Sequence, residues 1–402
     1  MRTPLTALTS ARPVGRQRSP GLAAIAVILL AACNGDSALG PSSDPRAIRP
    51  LHAIATASRA EFYVHAHQDD WQLFMGDRTS QSVATGGKVV FIYTTAGDAG
   101  SGDVRYWTTR ETGSQASVDV ITGSGTWTCA NETINGHPIR RCAKGAGLVV
   151  SYFMRMPDGN TTGDGFGFGS LKRLRDLNTP TSAIDQSTTY TSWSDFHTTL
   201  RDLIDLESGE AGPSDLVVHA PDDDRIANVG DHPDHFATGD AVRDASRSRA
   251  WSLAWYVGYH TRDLAPNISQ AALDTKRAEF VAYDNVMANA GFGSLMGSTD
   301  YQAWLQRTYV RTGQSTPGTL PPPPSGLTAR AQGNSGNLRL TWTPGGATNV
   351  DVWRNGTRIA TRVENSGIYT DRPPRGVTYS YKVCTGGQTV AAACSNTAVI
   401  GF

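Results

Sequence analysis

The chain carries no net charge: 36 lysines and arginines stand against 36 aspartates and glutamates, with no basic stripe or long basic run. That excludes a nucleic-acid backbone as the main partner, because phosphate binding needs a concentrated positive face. No apolar run has membrane-spanning length. The most apolar stretch, Gly21–Ala32, falls well short of the roughly 20 residues that a span needs. Cysteine is scarce, with five residues, and no two have the close spacing of a four-thiolate structural zinc site. Nor does a glycine-rich dinucleotide fingerprint follow the first predicted strand. Glycine (42) and proline (21) are abundant, which calls for many loops rather than a helical bundle. At 402 residues, two domains are expected.

The N-terminal segment reads as a processing signal rather than part of the fold. Arg2, Arg12, Arg16 and Arg18 precede any acidic residue, and the apolar run ends in Leu30-Ala31-Ala32-Cys33. Small residues before a cysteine resemble the lipobox of bacterial lipoproteins. The resemblance implies a signal peptide over 1–32, a lipid on Cys33 and a polar tether over 33–55. The protein would then be exported and anchored to the membrane of the cell envelope, the alternative being plain secretion. The other four cysteines fall into two local pairs, Cys129 with Cys142 and Cys384 with Cys394, and export favours disulfides there. Four unrelated buried thiols are the competing reading.

Thr312–Pro324 holds four consecutive prolines, too stiff for a buried strand or helix, and is expected to be a linker over 312–324. Beyond it, over 325–402, Leu338, Leu340 and Trp342 alternate with polar residues. Val350 and Val352 repeat the pattern, as do Tyr379, Tyr381 and Val383, and Asn355-Gly356 supplies a hairpin turn. This predicts an all-β sandwich. The order Leu327-Thr328-Ala329, Leu340-Thr341-Trp342, Tyr379-Ser380-Tyr381-Lys382-Val383 resembles a fibronectin type III module. No cluster of reactive side chains lies in it, so spacing, or contact with a surface or polymer, is its expected role.

Residues 56–311 differ. Ala60–Ala66, Gly87–Thr94 and Leu216–His219 read as strands, and Trp193–Glu207, His235–Arg249 and Gln270–Met287 as helices. Strands alternating with helices predict an α/β fold, Rossmann-like, with a largely parallel sheet and helices on both faces. Two polar clusters sit at strand ends, where ligands bind in such sheets. His67-Gln68-Asp69-Asp70 follows the first strand, and Asp231-His232-Pro233-Asp234-His235 follows the third. In each, two candidate ligands stand three residues apart, a spacing that puts them on one side of a helical turn. Imidazole and carboxylate suit zinc. Helix capping would account for one aspartate but leaves the histidines unexplained.

These residues resemble the two signature motifs of the PIG-L/LmbE-type deacetylases, zinc enzymes that hydrolyse the N-acetyl group of N-acetylglucosamine-containing substrates. The likeness extends over roughly 58–310 and takes in Thr95-Ala96-Gly97-Asp98-Ala99-Gly100, Arg110-Glu111, Pro157-Asp158-Gly159 and Tyr301–Arg311. By this resemblance His67, Asp70 and His235 are the metal ligands, Asp69 the general base and His232 the stabiliser of the oxyanion. The implied cofactor is Zn2+ or another divalent metal, and the implied partner an N-acetylated sugar or polysaccharide. Two positions depart from the family. Gln68 stands where it usually has proline. Trp71 replaces an acidic residue and offers an apolar wall or sugar platform instead. The expected activity is a metal-dependent N-deacetylase. The rivals are hydrolysis of another amide or an ester, and a non-catalytic glycan-binding lipoprotein.

Overall fold

The structure, a computed structural model, describes residues 54–212, 214–314, 322–333, 335–347, 349–386 and 393–402. The expected signal peptide and most of the tether, including Cys33, lie outside these residues, as does the centre of the expected linker.

The first domain is built on an eight-stranded sheet. Its strands are β1 (Ala60–His65), β2 (Lys88–Thr95), β3 (Trp127–Ile134), β4 (His137–Lys144) and β5 (Val149–Met156), then β8 (Leu216–Pro221), β9 (Ser252–Tyr256) and β10 (Val310–Gln314). Between β5 and β8 the short strands β6 (Thr181–Ser182) and β7 (Thr189–Tyr190) form a hairpin of their own. The order across the large sheet is β10-β9-β8-β1-β2-β5-β4-β3. The strands from β9 to β5 are parallel, and β10, β4 and β3 close the two edges antiparallel.

Strand alternation explains why both faces are covered. Phe62 and Val64 of β1, with Val90 and Ile92 of β2, point into one core. Tyr63 of β1, with Val89, Phe91 and Tyr93 of β2, points into the other. The first core receives α4 (Leu171–Leu177), α5 (Trp193–Ser208) and α6 (Pro233–Ser246). The second receives α1 (Asp70–Phe74), α3 (Val104–Thr122), α7 (Gln270–Asn289) and α8 (Thr299–Leu305), with α2 (Gly76–Ala84) beside α7. A strand buried on both faces reads as a nearly continuous apolar run, as the KVVFIYTT of β2 does. No helix among the described residues is long and apolar enough to cross a membrane.

The predicted strands and helices fall on β1, β2, β8, α5, α6 and α7, within a few residues at each end. Unpredicted were β5 and β9 of the parallel core and the antiparallel strands at the edges, above all the β3–β4 hairpin. Its sequence is half polar because one side faces solvent, and Cys129–Cys142 bridges it. The sheet also runs past residue 311 to Gln314, through the antiparallel partner of β9.

The C-terminal module pairs a three-stranded sheet, β11 (Ser325–Ala331), β12 (Leu338–Thr343) and β15 (Ile368–Asp371), with a four-stranded one. The latter comprises β13 (Asn349–Arg354), β14 (Thr357–Glu364), β16 (Thr378–Thr385) and β17 (Ala398–Gly401). Leu338, Leu340, Trp342, Val350, Val352, Tyr379, Tyr381 and Val383 fill the space between, as the alternation predicts. Cys384 and Cys394 are disulfide-bonded.

Candidate metal centre

β1 lies between β2 and β8, and the chain leaves it toward β2 while β8 returns on its other side. Such a reversal opens a crevice at the carboxyl ends of the strands. Both polar clusters sit there, one after β1 and one after β8.

The first cluster is a tight turn, not the helical turn expected. The Asp70 amide donates to the His67 carbonyl at 3.4 Å, and the His67 amide donates to Asp70 Oδ2 at 2.6 Å. This leaves Asp70 Oδ1 facing His67 Nδ1 at 3.4 Å. From the second cluster, His235 in the first turn of α6 brings Nε2 to 3.2 Å from Asp70 Oδ1 and 3.3 Å from His67 Nδ1. Three ligand-type atoms thus form a nearly equilateral triangle. Its sides match the roughly 3.3 Å edge of a tetrahedron whose metal–ligand bonds are about 2.0–2.1 Å. The residues present therefore fit a tetrahedral divalent metal with one position left open. All three are buried.

The surroundings fix the orientation of these side chains. His235 Nδ1 donates to Asp231 Oδ1 at 2.8 Å, and Asp231 is itself held by the Tyr259 amide (3.0 Å) and Asn228 Nδ2 (2.6 Å). A carboxylate behind a ligating histidine sets its tautomer and aims its free nitrogen. Gly258 is required there, since a Cβ at that position would lie 2.6 Å from the Asp231 carboxylate. His67 Nε2 faces Asp234 Oδ2 at 3.5 Å and Asp158 Oδ2 at 3.8 Å. A second four-residue grouping, His67, Asp158, His232 and Asp234, is also close enough to be considered for metal. It is looser: His67 Nε2–Asp234 Oδ2, His67 Nε2–Asp158 Oδ2 and His232 Nδ1–Asp234 Oδ2 stand at 3.5, 3.8 and 3.8 Å, all longer than the sides of the first triangle.

Charge follows this arrangement. Burial disfavours a charged imidazole at His67, yet the carboxylates of Asp70, Asp234 and Asp158 overcome it and raise its pKa to about 10. Burial likewise opposes the charge on His235, and Asp231 and Asp70 push it well above the ordinary histidine value. Burial works against the Asp70 carboxylate, but His235 and His67 hold its pKa well below the usual range. Without metal, protons thus supply the positive charge that the acidic pocket attracts. His232 is the opposite case: burial and the neighbouring His67 depress it to about 4, so its ring is neutral at pH 7. Because its Nδ1 accepts from the Asp234 amide, its proton is assigned to Nε2.

Asp69 precedes α1 but makes no side-chain cap bond, which removes the capping explanation for it. Instead its Oδ1 is paired with the buried Arg110 guanidinium, which also donates to the Gly97 carbonyl at 2.9 Å. Among the described residues Oδ2 makes no hydrogen bond. Asp69 lines a cavity of about 100 Å³ together with His67, Asp70, Leu73, Arg110, Asp158, His232, Tyr259, Tyr301 and Trp304.

The structure brings together all five residues singled out in the sequence: His67, Asp69, Asp70, His232 and His235. Spacing did not reveal the part played by Asp231 within the second cluster, nor those of Arg110, Asp158 and the aromatic wall of Tyr259, Tyr301 and Trp304, which arrive from other elements. The expectation for Trp71 needs correcting. It is fully buried against Phe91, with ring centroids 5.1 Å apart, and is a core residue rather than a sugar platform. It lies on the side of α1 that faces the sheet, away from the cavity. Gln68 replaces the rigidity of a proline with a hydrogen bond, its Nε2 donating to the Thr95 carbonyl at 2.9 Å.

Residues 62–246 match the family model described as PIG-L: GlcNAc-PI de-N-acetylase. No curated protein matches the chain. Among solved structures, the chain is similar to the N,N'-diacetylchitobiose deacetylase of Pyrococcus horikoshii at 14% identity and a TM-score of 0.33, covering 58% of this chain and 74% of that one. It is similar to teicoplanin deacetylase in a zinc-inhibited form at 14% identity and a TM-score of 0.38, covering 64% and 98%. A fibronectin-type-III-like protein of Clostridium thermocellum is 31% identical over 20% of this chain and 92% of its own, with a TM-score of 0.18.

Proposed function

We propose that this chain, whose residues 62–246 match the PIG-L family model, is a metal-dependent N-deacetylase that removes the acetyl group from an N-acetylglucosamine-type sugar. The observation that carries the reading is the triangle of His67 Nδ1, Asp70 Oδ1 and His235 Nε2 with the Asp69 carboxylate beside it. His67, Asp70 and His235 would hold the metal, zinc by preference for this mixed imidazole and carboxylate set. Held there, a divalent metal would supply a more acidic bound water, its pKa lowered toward about 7, and a Lewis acid for the carbonyl.

The remaining work falls to the chain. Asp69, oriented through Oδ1 by Arg110, accepts a proton from the attacking water at Oδ2. As the new C–O bond forms, the carbonyl π electrons move onto oxygen, and His232 Nε2–H donates a hydrogen bond to that oxygen. A neutral imidazole suits this task, because it stabilises charge without surrendering its proton. Collapse breaks the C–N bond, and Asp69 returns its proton to the amine nitrogen, giving acetate and the free amino sugar. Tyr259, Tyr301, Trp304 and Leu73 wall the cavity around the acetamide.

Export and lipid attachment at Cys33 belong to the same proposal. They are supported by the Leu30–Cys33 pattern and by two disulfides, which suit an oxidising compartment. The reading is tested by measuring acetate release from N-acetylglucosamine oligomers with the metal-loaded protein, after chelation, and after Zn2+ is restored. Loss on chelation and recovery on restoration are expected. Release indifferent to chelator would overturn the metal assignment, and no release by the loaded protein the substrate assignment.

A further inference from the structure

The segment after β5 starts at Asp158 in the cavity wall and runs to Ser170 at the start of α4. From 163 to 169 it reads Gly-Asp-Gly-Phe-Gly-Phe-Gly. All four glycines have positive φ, between 77° and 99°, a region that side-chain-bearing residues avoid. The winding is tied down. Gly165 N donates to the Gly159 carbonyl at 2.8 Å, and Ser170 Oγ donates to the Gly163 carbonyl at 2.6 Å. The loop is also wedged between two walls of the active-site crevice. A Cβ on Gly163 would meet Pro233 at 2.8 Å, and one on Gly100 would meet the Phe166 ring at 2.4 Å. It therefore spans from the start of α6 to the loop after β2, and Asp158 at its root lies in the cavity wall.

What this fixed loop displays is unusual. Phe166 and Phe168, 40% and 66% exposed, are the only exposed phenylalanines among the described residues. The same loop exposes Thr161, Thr162 and Asp164, the last facing Lys172 Nζ at 3.5 Å. A flat apolar ring on a loop that also exposes hydroxyls and a carboxylate matches the two-sided chemistry of a pyranose, which has an apolar C–H face and a rim of hydroxyls. A lipid surface would favour an uninterrupted apolar patch. The cavity itself, about 100 Å³, suits the acetamide rather than a chain of sugars, so neighbouring rings must lie at the mouth.

We propose that the 159–169 loop is a subsite for the sugar next to the one being deacetylated, with Phe168 as its stacking platform and Phe166 as its support against Gly100. The substrate is then an oligosaccharide or polysaccharide rather than a single sugar. This inference rests on the N-deacetylase reading. The test compares kcat/KM on N-acetylglucosamine and on its tetramer for the metal-loaded wild type, Phe168→Ala and Phe168→Trp. The tetramer-to-monomer ratio should fall about 3- to 10-fold in Phe168→Ala, mainly through KM, and be kept in Phe168→Trp. An unchanged ratio overturns the proposal. A parallel calorimetric titration of Asp69→Asn with the tetramer, with and without Phe168→Ala, separates the two ideas. Phe168-dependent binding without turnover in the wild type supports the subsite while refuting the deacetylase, and binding indifferent to Phe168 refutes the subsite. Phe168-dependent binding to phosphatidylcholine vesicles, without an effect on the sugar ratio, would replace it with a lipid contact.

Discussion

Asp69 is the side chain on which the proposed chemistry turns. It makes no cap bond to α1 and touches none of the three ligand atoms, and Arg110 engages its Oδ1. Asp69→Asn keeps the shape and an oxygen for Arg110 but removes the proton acceptor. We expect full metal content and a kcat lower by roughly 10²- to 10⁴-fold, with substrate affinity little changed. Measuring metal and kcat on one preparation separates the alternatives. Near-normal kcat would refute the base, and a fall in metal content would make Asp69 a support for the ligands instead.

At the scale of elements, the start of α6 concentrates the site. His232 caps the helix through Nδ1, Pro233 fits its first turn, and His235 reaches the ligand triangle while Asp231 holds it from behind. Asp231→Asn leaves a side chain of the same size but weakens the hold on the His235 ring. A support of this kind is typically worth 10- to 100-fold in metal affinity. Competition with a chelator should show that loss in Asp231→Asn, and an unchanged affinity would remove Asp231 from the metal centre. Because His67 and His235 are held protonated in the absence of metal, ligation must release protons. The same competition should therefore show affinity rising with pH through the neutral range.

Over the whole molecule, the two domains keep chemistry and packing apart. Every residue lining the cavity comes from the span between His67 and Trp304. The C-terminal module touches the first domain elsewhere: β14 packs beside α4, and Arg247 after α6 donates to the Gly386 carbonyl at 2.8 Å. Removing 325–402 should lower the melting temperature, since those contacts are lost. It should spare most of kcat/KM on N-acetylglucosamine itself, whereas a module that positioned the active site would cost on the order of 10²-fold. A truncated protein that is folded by circular dichroism yet inactive would make the module part of the active site.

The sequence by itself determined the alternation of strands and helices, the sandwich behind the proline run, the cysteine pairs, and the five polar residues of the two clusters. Each of these is local: a period of two in β12 and β16, a buried apolar run in β2, or a cluster such as His67–Asp70 within one turn. Only the tertiary structure decided which of those polar residues meet. The three-residue spacing suggested a shared helical face, but His67 and Asp70 meet through a turn, and His232 caps the helix that His235 enters. Arg110 comes 41 residues after its partner Asp69. Asp158 arrives from the end of β5, and Trp71 disappears into the core. These placements follow from sheet order, because β1, β2, β5 and β8 are neighbours only after the long crossovers close. No sequence window contains that proximity.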